Sequence, residues 1–282
     1  MEILVTGATG FVGHHLVPVL LESGVDVLAT YRDSAKVKGI PWCNQVEWRE
    51  FDIFNPPDNP YESLGKPDRM IHMAWSGLPN YKDDFHLEKN LPANLDFLGG
   101  MFEGGLRHLL VTGTCFEYGL KEGEMFETTP AMPDNSYGEA KNLLRISLEK
   151  TAASAGAVLQ WCRLFYMYGS GQGERSLFAQ LQNAIDSGAS EFDMSGGQQI
   201  RDFMAVEAVA QSLAAIVLQT EVSGIINVCS ARAVTVQTLV EEYLASQGSQ
   251  MKLNLGVYPY PNWEPYRFWG NNGKLCQVIQ TV

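Results

Sequence analysis

Charged side chains are scarce in this chain, and positive ones most of all. Asp, Glu, Lys and Arg make up 18% of the 282 residues, with 20 basic against 32 acidic and a net charge of −12. Without a basic excess there is no field to neutralise phosphates, which excludes non-specific nucleic-acid binding. No apolar run reaches the 18 or so residues that span a bilayer, so no membrane partner is expected. The opening Met1-Glu2-Ile3-Leu4-Val5-Thr6-Gly7 lacks the basic stretch and long apolar core of a signal peptide. The cysteines are few and odd in number (Cys43, Cys115, Cys162, Cys229, Cys276), with no Cys-x-x-Cys pair. That argues against a disulfide framework or structural zinc, and for buried, reduced thiols in a cytoplasmic protein. His14, His15, His72, His86 and His108 show no metal-ligand spacing beyond one adjacent pair, so no metal is expected.

What is present is an ordinary globular composition, 45% apolar and 11% aromatic. A chain of this size removes roughly 75% of its unfolded surface from water and needs no staples. Short apolar runs alternate with helical spacing. Ile3-Leu4-Val5 reads as a strand, Phe11 to Ser23 as a helix, and Val25 to Thr30 as a second strand. Val46 to Phe51, Met70 to Ala74, Leu109 to Thr112 and Val158 to Leu164 continue the strands. Leu87 to Phe102 and Ser136 to Ala155 continue the helices. This alternation predicts an α/β doubly wound parallel sheet. Beyond residue 168 the pattern loosens: helices are expected over Leu177 to Ser187 and Val206 to Thr220, and a strand over Gly224 to Val228. The end is rich in Pro, Tyr, Trp and Asn, which suggests a smaller lobe interleaved with the sheet.

Gly7-Ala8-Thr9-Gly10-Phe11-Val12-Gly13 joins the first strand to the first helix. Glycine there permits positive φ and close backbone approach, and the helix start offers free N–H groups to a pyrophosphate. A dinucleotide site of Rossmann type is the reading. The second strand runs out at Tyr31-Arg32-Asp33. A carboxylate at its end would bind a ribose; Tyr31 removes it, and the Arg32 guanidinium suits a 2′-phosphate. NADP(H) is therefore favoured over NAD(H). Asp33 is the alternative: it could neutralise Arg32 or take the acidic role itself. Tyr137-Gly138-Glu139-Ala140-Lys141 puts a tyrosine and a lysine on one helix face. An ammonium near a phenol lowers the tyrosine pKa toward working pH, so that it can exchange a proton with a carbonyl or hydroxyl oxygen.

The ordered set Gly7/Gly10/Gly13, Thr112-Gly113-Thr114-Cys115-Phe116-Glu117-Tyr118-Gly119 and Tyr137/Lys141 resembles the extended short-chain dehydrogenase/reductase family of nucleotide-sugar epimerases, dehydratases and reductases. The likeness continues through Asp52-Ile53, His72-Met73-Ala74, Asn90, Arg163 to Gly169, Arg201 to Val206, Asn227 to Ser230 and Thr235-Val236, covering nearly the whole chain. It implies a Rossmann domain over 1–168, with 203–231 returning to it, and a small substrate lobe from 169–202 and 232–282. Its catalytic triad falls on Thr114, Tyr137 and Lys141. Cofactor contacts are implied at Gly7, Thr9, Gly10, Phe11, Val12, Gly13, Tyr31, Arg32, Asp52, Ile53, Met73, Ala74, Trp75, Asn90, Thr112, Tyr137, Lys141 and Leu164. Contacts to a nucleotide-diphosphate sugar are implied at Ser76, Thr114, Cys115, Phe116, Tyr137, Tyr166 and Arg201. Arg201 has a second reading as a structural salt bridge, and Cys115 as packing.

Departures from the family narrow the chemistry. The 4,6-dehydratases resemble one another in an Asp-Glu pair after the triad threonine; Cys115 and Phe116 stand there and cannot do that chemistry. The fucose-synthase type carries its cysteine where Phe116 lies. Two readings stay open within the family, NADPH-dependent 4-ketoreductase and 4-epimerase with tightly held NAD. Arg32 favours the reductase, as does a chain expected to stop soon after Leu275 without a further helix. A redox-sensing NADP-binding regulator is the reading from another class, against which Tyr137 and Lys141 speak. The Ser136–Ala155 and Leu87–Phe102 helices resemble the four-helix dimer interface of relatives, which implies a homodimer.

Overall fold

The computed structural model describes residues 1–260 and 264–281. Strands β1 (Glu2–Thr6), β2 (Asp26–Tyr31), β3 (Glu47–Glu50), β4 (Arg69–His72), β5 (His108–Thr114), β6 (Val158–Leu164) and β7 (Gly224–Val228) form one sheet. Its order is β7-β6-β5-β4-β1-β2-β3 and every pairing is parallel. The order reverses between β1 and β4. In an open parallel sheet the crevice beyond the carboxyl ends of such strands receives the ligand.

The longer helices are α1 (Phe11–Glu22), α2 (Leu91–Gly104), α3 (Ser136–Ala155), α4 (Leu177–Asp186), α5 (Val206–Leu218), α6 (Val236–Ser246) and α7 (Gly273–Thr281). Alternate strand residues face opposite layers. Ile3 and Val5 meet Leu16 and Leu20 of α1, Leu213 of α5 and Val278 of α7. Leu4, Met70 and Trp161 meet Phe97 and Met101 of α2 and Leu144 and Leu148 of α3. Each fully buried side chain of this kind stabilises by roughly 1.5–3 kcal/mol, so both faces of the sheet must be covered and its strands read as continuous apolar runs. A separate cluster of Phe178, Leu181, Phe192, Leu239, Val240 and Leu244 joins α4 to α6.

Local signals set the boundaries of α3: Asn135 accepts the Gly138 amide at 2.9 Å, and Gly156 caps the far end at φ 62°. Three expectations are corrected. A helix does follow near Leu275: α7 lies on the sheet layer, with Leu275 and Val278 buried there. The run before α2 starts with one π turn at His86–Asn90, which turns both of those residues inward. The five thiols are free, but only Cys115, Cys162 and Cys229 are buried; Cys276 is exposed and Cys43 half-buried. The Pro261-Asn262-Trp263 part of the aromatic tail lies outside the described residues.

Candidate active site

The glycines of the first turn are required by space. Gly7 has φ +78°, and a Cβ there would lie 2.8 Å from the Ala74 nitrogen and the Met73 carbonyl carbon. A Cβ on Gly13 would lie 2.5 Å from the carbonyl oxygens of Gly7 and Ala8. Met73 and Ala74 thus press against the loop, and the Met73 amide donates to Thr6 at 3.1 Å. Gly10 caps α1 without any side-chain cap, and no acidic residue sits in its first turn. The first N–H groups of α1, after Thr9 and over Phe11 and Val12, therefore have no partner within the helix. This cradle fits the pyrophosphate of a dinucleotide.

Tyr31 is the last residue of β2, its ring 6.2 Å from Trp48. Arg32 is exposed, 5.9 Å over the Phe54 ring and 3.9 Å from Asp52 Oδ1. Asp33 is engaged elsewhere: its Oδ1 accepts the Ala35 amide at 3.0 Å in the turn that follows. Asp52 also accepts the Phe54 amide at 3.2 Å, and Ile53 is buried in the core. Leu164, half-buried at the end of β6, packs on the α1 layer.

Beneath this loop lies a buried polar ladder. His72 Nδ1 accepts from the Thr6 hydroxyl at 2.8 Å, and its Nε2 donates to Asn94 Oδ1 at 2.5 Å. Asn94 in turn donates to the Asn90 carbonyl at 2.7 Å. Burial, helped by the nearby Lys141 charge, pulls the His72 imidazole down to about 3. Its folded pKa lies below the unfolded value near 6.5, so the unfolded chain takes up this proton first and stability falls as pH drops through that interval. At pH 5 the loss from His72 alone amounts to about 2 kcal/mol, at 1.36 kcal/mol per pH unit. His86 and His108, both pulled down by burial, act in the same direction. Urea unfolding at pH 6.5 and pH 5 measures this; equal unfolding free energies would refute it.

The three expected catalytic residues converge. Thr114 ends β5 and caps the turn Cys115–Tyr118, its hydroxyl accepting the Phe116 amide at 3.2 Å. Tyr137 is buried in the first turn of α3, its amide bonded to the Tyr81 carbonyl at 2.9 Å. Lys141 Nζ donates to the Thr112 carbonyl at 2.8 Å and sits 4.0 Å over the Trp75 ring. The expected lowering of the Tyr137 pKa is not what this site shows. Burial raises the phenol, Tyr81 and Glu117 raise it further, and a hydrogen bond with Thr114 opposes them. Burial pulls Lys141 down to about 7, against the Glu117 charge. Both groups therefore favour their neutral forms more strongly than on a surface.

Several side chains join the site that motif reading did not find. The Tyr81 ring packs at a tilt against Phe116 at 4.7 Å and Tyr137 at 5.6 Å. With Asn80, Lys82, Asp83, Phe116 and Asp134 it lines an open cavity of about 480 Å³. His86 lies 5.3 Å from the Tyr137 ring. Nothing in the spacing of these loop residues marks them, because the chain fold alone brings them to α3. Glu117 is different: Thr114-x-x-Glu117 is a capping box legible in the sequence. Its buried carboxylate accepts from Thr114 N, Trp161 Nε1 and Arg163 Nε at 2.8–2.9 Å.

Two expected contacts are spent within the protein. Asn90 donates to the Ser76 carbonyl at 2.9 Å and to His86 at 3.2 Å, so it holds the Ser76 loop. Arg201 is buried and pairs with Glu264 at 2.9 Å, the structural reading of this arginine. Its guanidinium lies 5.5 Å from the Tyr166 ring, and Phe116 lies 6.5 Å from that same ring. Cys115 is buried beside them with its thiol pushed far up by burial, which makes it packing rather than a reactive group.

Residues 3–229 match the model of the NAD dependent epimerase/dehydratase family. A dTDP-6-deoxy-L-talose 4-dehydrogenase (NAD(+)) from Aggregatibacter actinomycetemcomitans is 29% identical over 272 residues, covering 96% of this chain and 99% of the relative. Among solved structures, a UDP-N-acetylglucosamine 4-epimerase from Methanobrevibacter ruminantium superposes with TM-score 0.85 at 20% identity, over 98% of this chain and 91% of that one. A UDP-glucuronic acid 4-epimerase from Bacillus cereus, solved with UDP-glucuronic acid and NAD, gives 0.81 at 21% identity over 100% and 94%. With its glycine cradle and Thr-Tyr-Lys cluster in the expected order, the chain belongs to the NAD dependent epimerase/dehydratase family.

Proposed function

We propose that this protein reduces the 4-keto group of a 6-deoxy nucleotide-diphosphate sugar with NADPH, Tyr137 supplying the proton. The observation that carries the reading is the convergence of Thr114, Tyr137 and Lys141 beside a cavity walled by Tyr81 and Phe116. No carboxylate occupies the two positions after Thr114, so elimination of water lacks its acid and base. The relative named as a 6-deoxy-talose 4-dehydrogenase supports the substrate class, since its reaction run backward is a 4-keto reduction.

When bound, the cofactor supplies a hydride to the keto carbon. The Thr114 hydroxyl, fixed by the Phe116 amide, holds the carbonyl oxygen. Tyr137 stays protonated at neutral pH because burial raises it, and it donates that proton as the oxygen gains charge. Lys141, one helical turn after Tyr137, donates to the Thr112 carbonyl at the end of the same strand as Thr114. Serving a substrate diphosphate requires Arg201 to exchange Glu264 for it. Leu143 and Ile146, exposed on α3, support a homodimer through α2 and α3.

NADPH consumption with a panel of 4-keto-6-deoxy sugar nucleotides tests the reading. Net consumption is expected; interconversion of sugars without it would establish an epimerase instead. The relative's NAD(+) favours a second reading of the cofactor. Arg32→Ala is expected to raise the Kd for NADPH roughly tenfold and leave NADH unchanged, as loss of one charge-assisted contact does. Tighter binding of NADH than NADPH by the wild type would overturn the NADP assignment.

A further inference from the structure

Trp75 stands between the two halves of the site. Its face receives Lys141 Nζ at 4.0 Å, and its edge meets the Tyr137 ring at 5.9 Å. Its N–H donates to His86 Nδ1 at 3.1 Å. His86 has no capacity left: Nε2 donates to the Asn80 carbonyl at 3.0 Å, and Nδ1 also receives Asn90 at 3.2 Å. These partners assign the Nε2–H tautomer and a neutral ring. Asn80 and its neighbour Tyr81 line the open cavity beside Phe116. A continuous path of contacts therefore runs from that loop, through an imidazole and an indole, to the lysine.

The surroundings of Lys141 show what the indole contributes. The titratable groups that act on it are His72 from β4, His86 from the turn before α2 and Glu117 from the turn after β5, with Tyr137 one turn back on its own helix. Burial keeps both imidazoles and the phenol neutral. Glu117 acts on Lys141 only through space, because its oxygens are taken by Thr114, Trp161 and Arg163. A buried ammonium without a contacting counter-charge sheds its proton readily. An indole face attracts a cation through its quadrupole, more strongly where water is excluded.

We propose that Trp75 is a positioning residue for the reaction, holding the Lys141 ammonium on its face and tying it through His86 to the loop that lines the substrate cavity. This rests on the reductase reading for its kinetic consequence but not for its physical one. Without the indole the ammonium is less stable, and Lys141 loses its proton at lower pH.

The test uses the unliganded protein and the enzyme in turnover. Across pH 6–9 the Trp75 emission, taken as wild type minus Trp75→Leu, is expected to show an inflection that Lys141→Met abolishes. In turnover, Trp75→Leu moves the alkaline limb of the kcat profile down by roughly one pH unit, a tenfold change in one ionisation. Trp75→Phe keeps an aromatic face and restores most of the shift. An inflection that survives Lys141→Met overturns the proposal. So does an unmoved limb, read at saturating NADPH, in a Trp75→Leu protein that keeps its circular dichroism. Should Trp75→Leu not fold, Trp75→Phe and the direct comparison of wild type with Lys141→Met decide the matter. The expected inflection in a protein that consumes no NADPH with any keto-sugar would sink the reductase reading and leave this one standing.

Discussion

Tyr137→Phe is expected to lower the rate of keto-sugar reduction by roughly 10²–10⁴-fold, the scale of one general acid, with NADPH binding retained. The phenylalanine ring keeps the contacts with Trp75, Tyr81 and His86, so the fold is not the casualty. What is lost is the phenol proton, the one that a hydrogen bond ties to Thr114. Cys115 is buried with its thiol pushed far up. The His86 Nε2–H is committed to Asn80, and burial discourages its imidazolium. Thr114 can hold the oxygen but not protonate it at neutral pH. Single-turnover loss of NADPH absorbance measures the effect; an unchanged rate with every competent substrate would falsify the catalytic assignment.

The second large effect concerns stability. Glu117→Leu is expected to cost about 3–5 kcal/mol, the range for breaking a buried ion pair from one side. Glu117 is fully buried, 2.8 Å from Arg163 and 3.9 Å from Arg145. Burial pulls the Arg163 pKa down, and Glu117 and Tyr118 together, by charge and hydrogen bond, leave it raised. The substitution strands a buried guanidinium, the Trp161 indole N–H and the Thr114 amide together. Against a total stability of about 5–15 kcal/mol, that loss is a large fraction. Urea unfolding should show a sharply lower midpoint. The double variant Glu117→Leu with Arg163→Met should recover much of it, because replacing both charges leaves none unpaired. A wild-type midpoint in the single variant would refute the account. Gly113 belongs to the same unit: a Cβ there would lie 2.5 Å from Glu117 Oε1 and overlap the Trp161 indole.

The sheet was readable because a parallel strand buried on both faces leaves a signature that depends on local sequence alone. Ser136 to Ala155 and Val158 to Leu164 fall where the periodicity and the Gly156 break put them. The glycine cradle was readable for a similar reason, since a positive φ at Gly7 and a close approach at Gly13 tolerate nothing larger. Tyr137 and Lys141 share a helix, so their spacing carried their placement. The missed helices α6 and α7 lie beyond β7, where no alternation of strand and helix frames them, and α7 packs Leu275 and Val278 on a layer assembled from distant segments.

By itself, then, the sequence determined the parallel sheet, the dinucleotide cradle and the identity of the Thr-Tyr-Lys cluster, because each follows from backbone constraint or helical spacing. Only the tertiary structure decided the state of those groups. Burial, and not the lysine, governs the Tyr137 phenol. Glu264 claims Arg201, and the Trp75 indole, three residues beyond β4, lies 4.0 Å from Lys141 Nζ. Charge state depends on which groups from remote segments exclude water from an atom, and that exists only once the chain has folded.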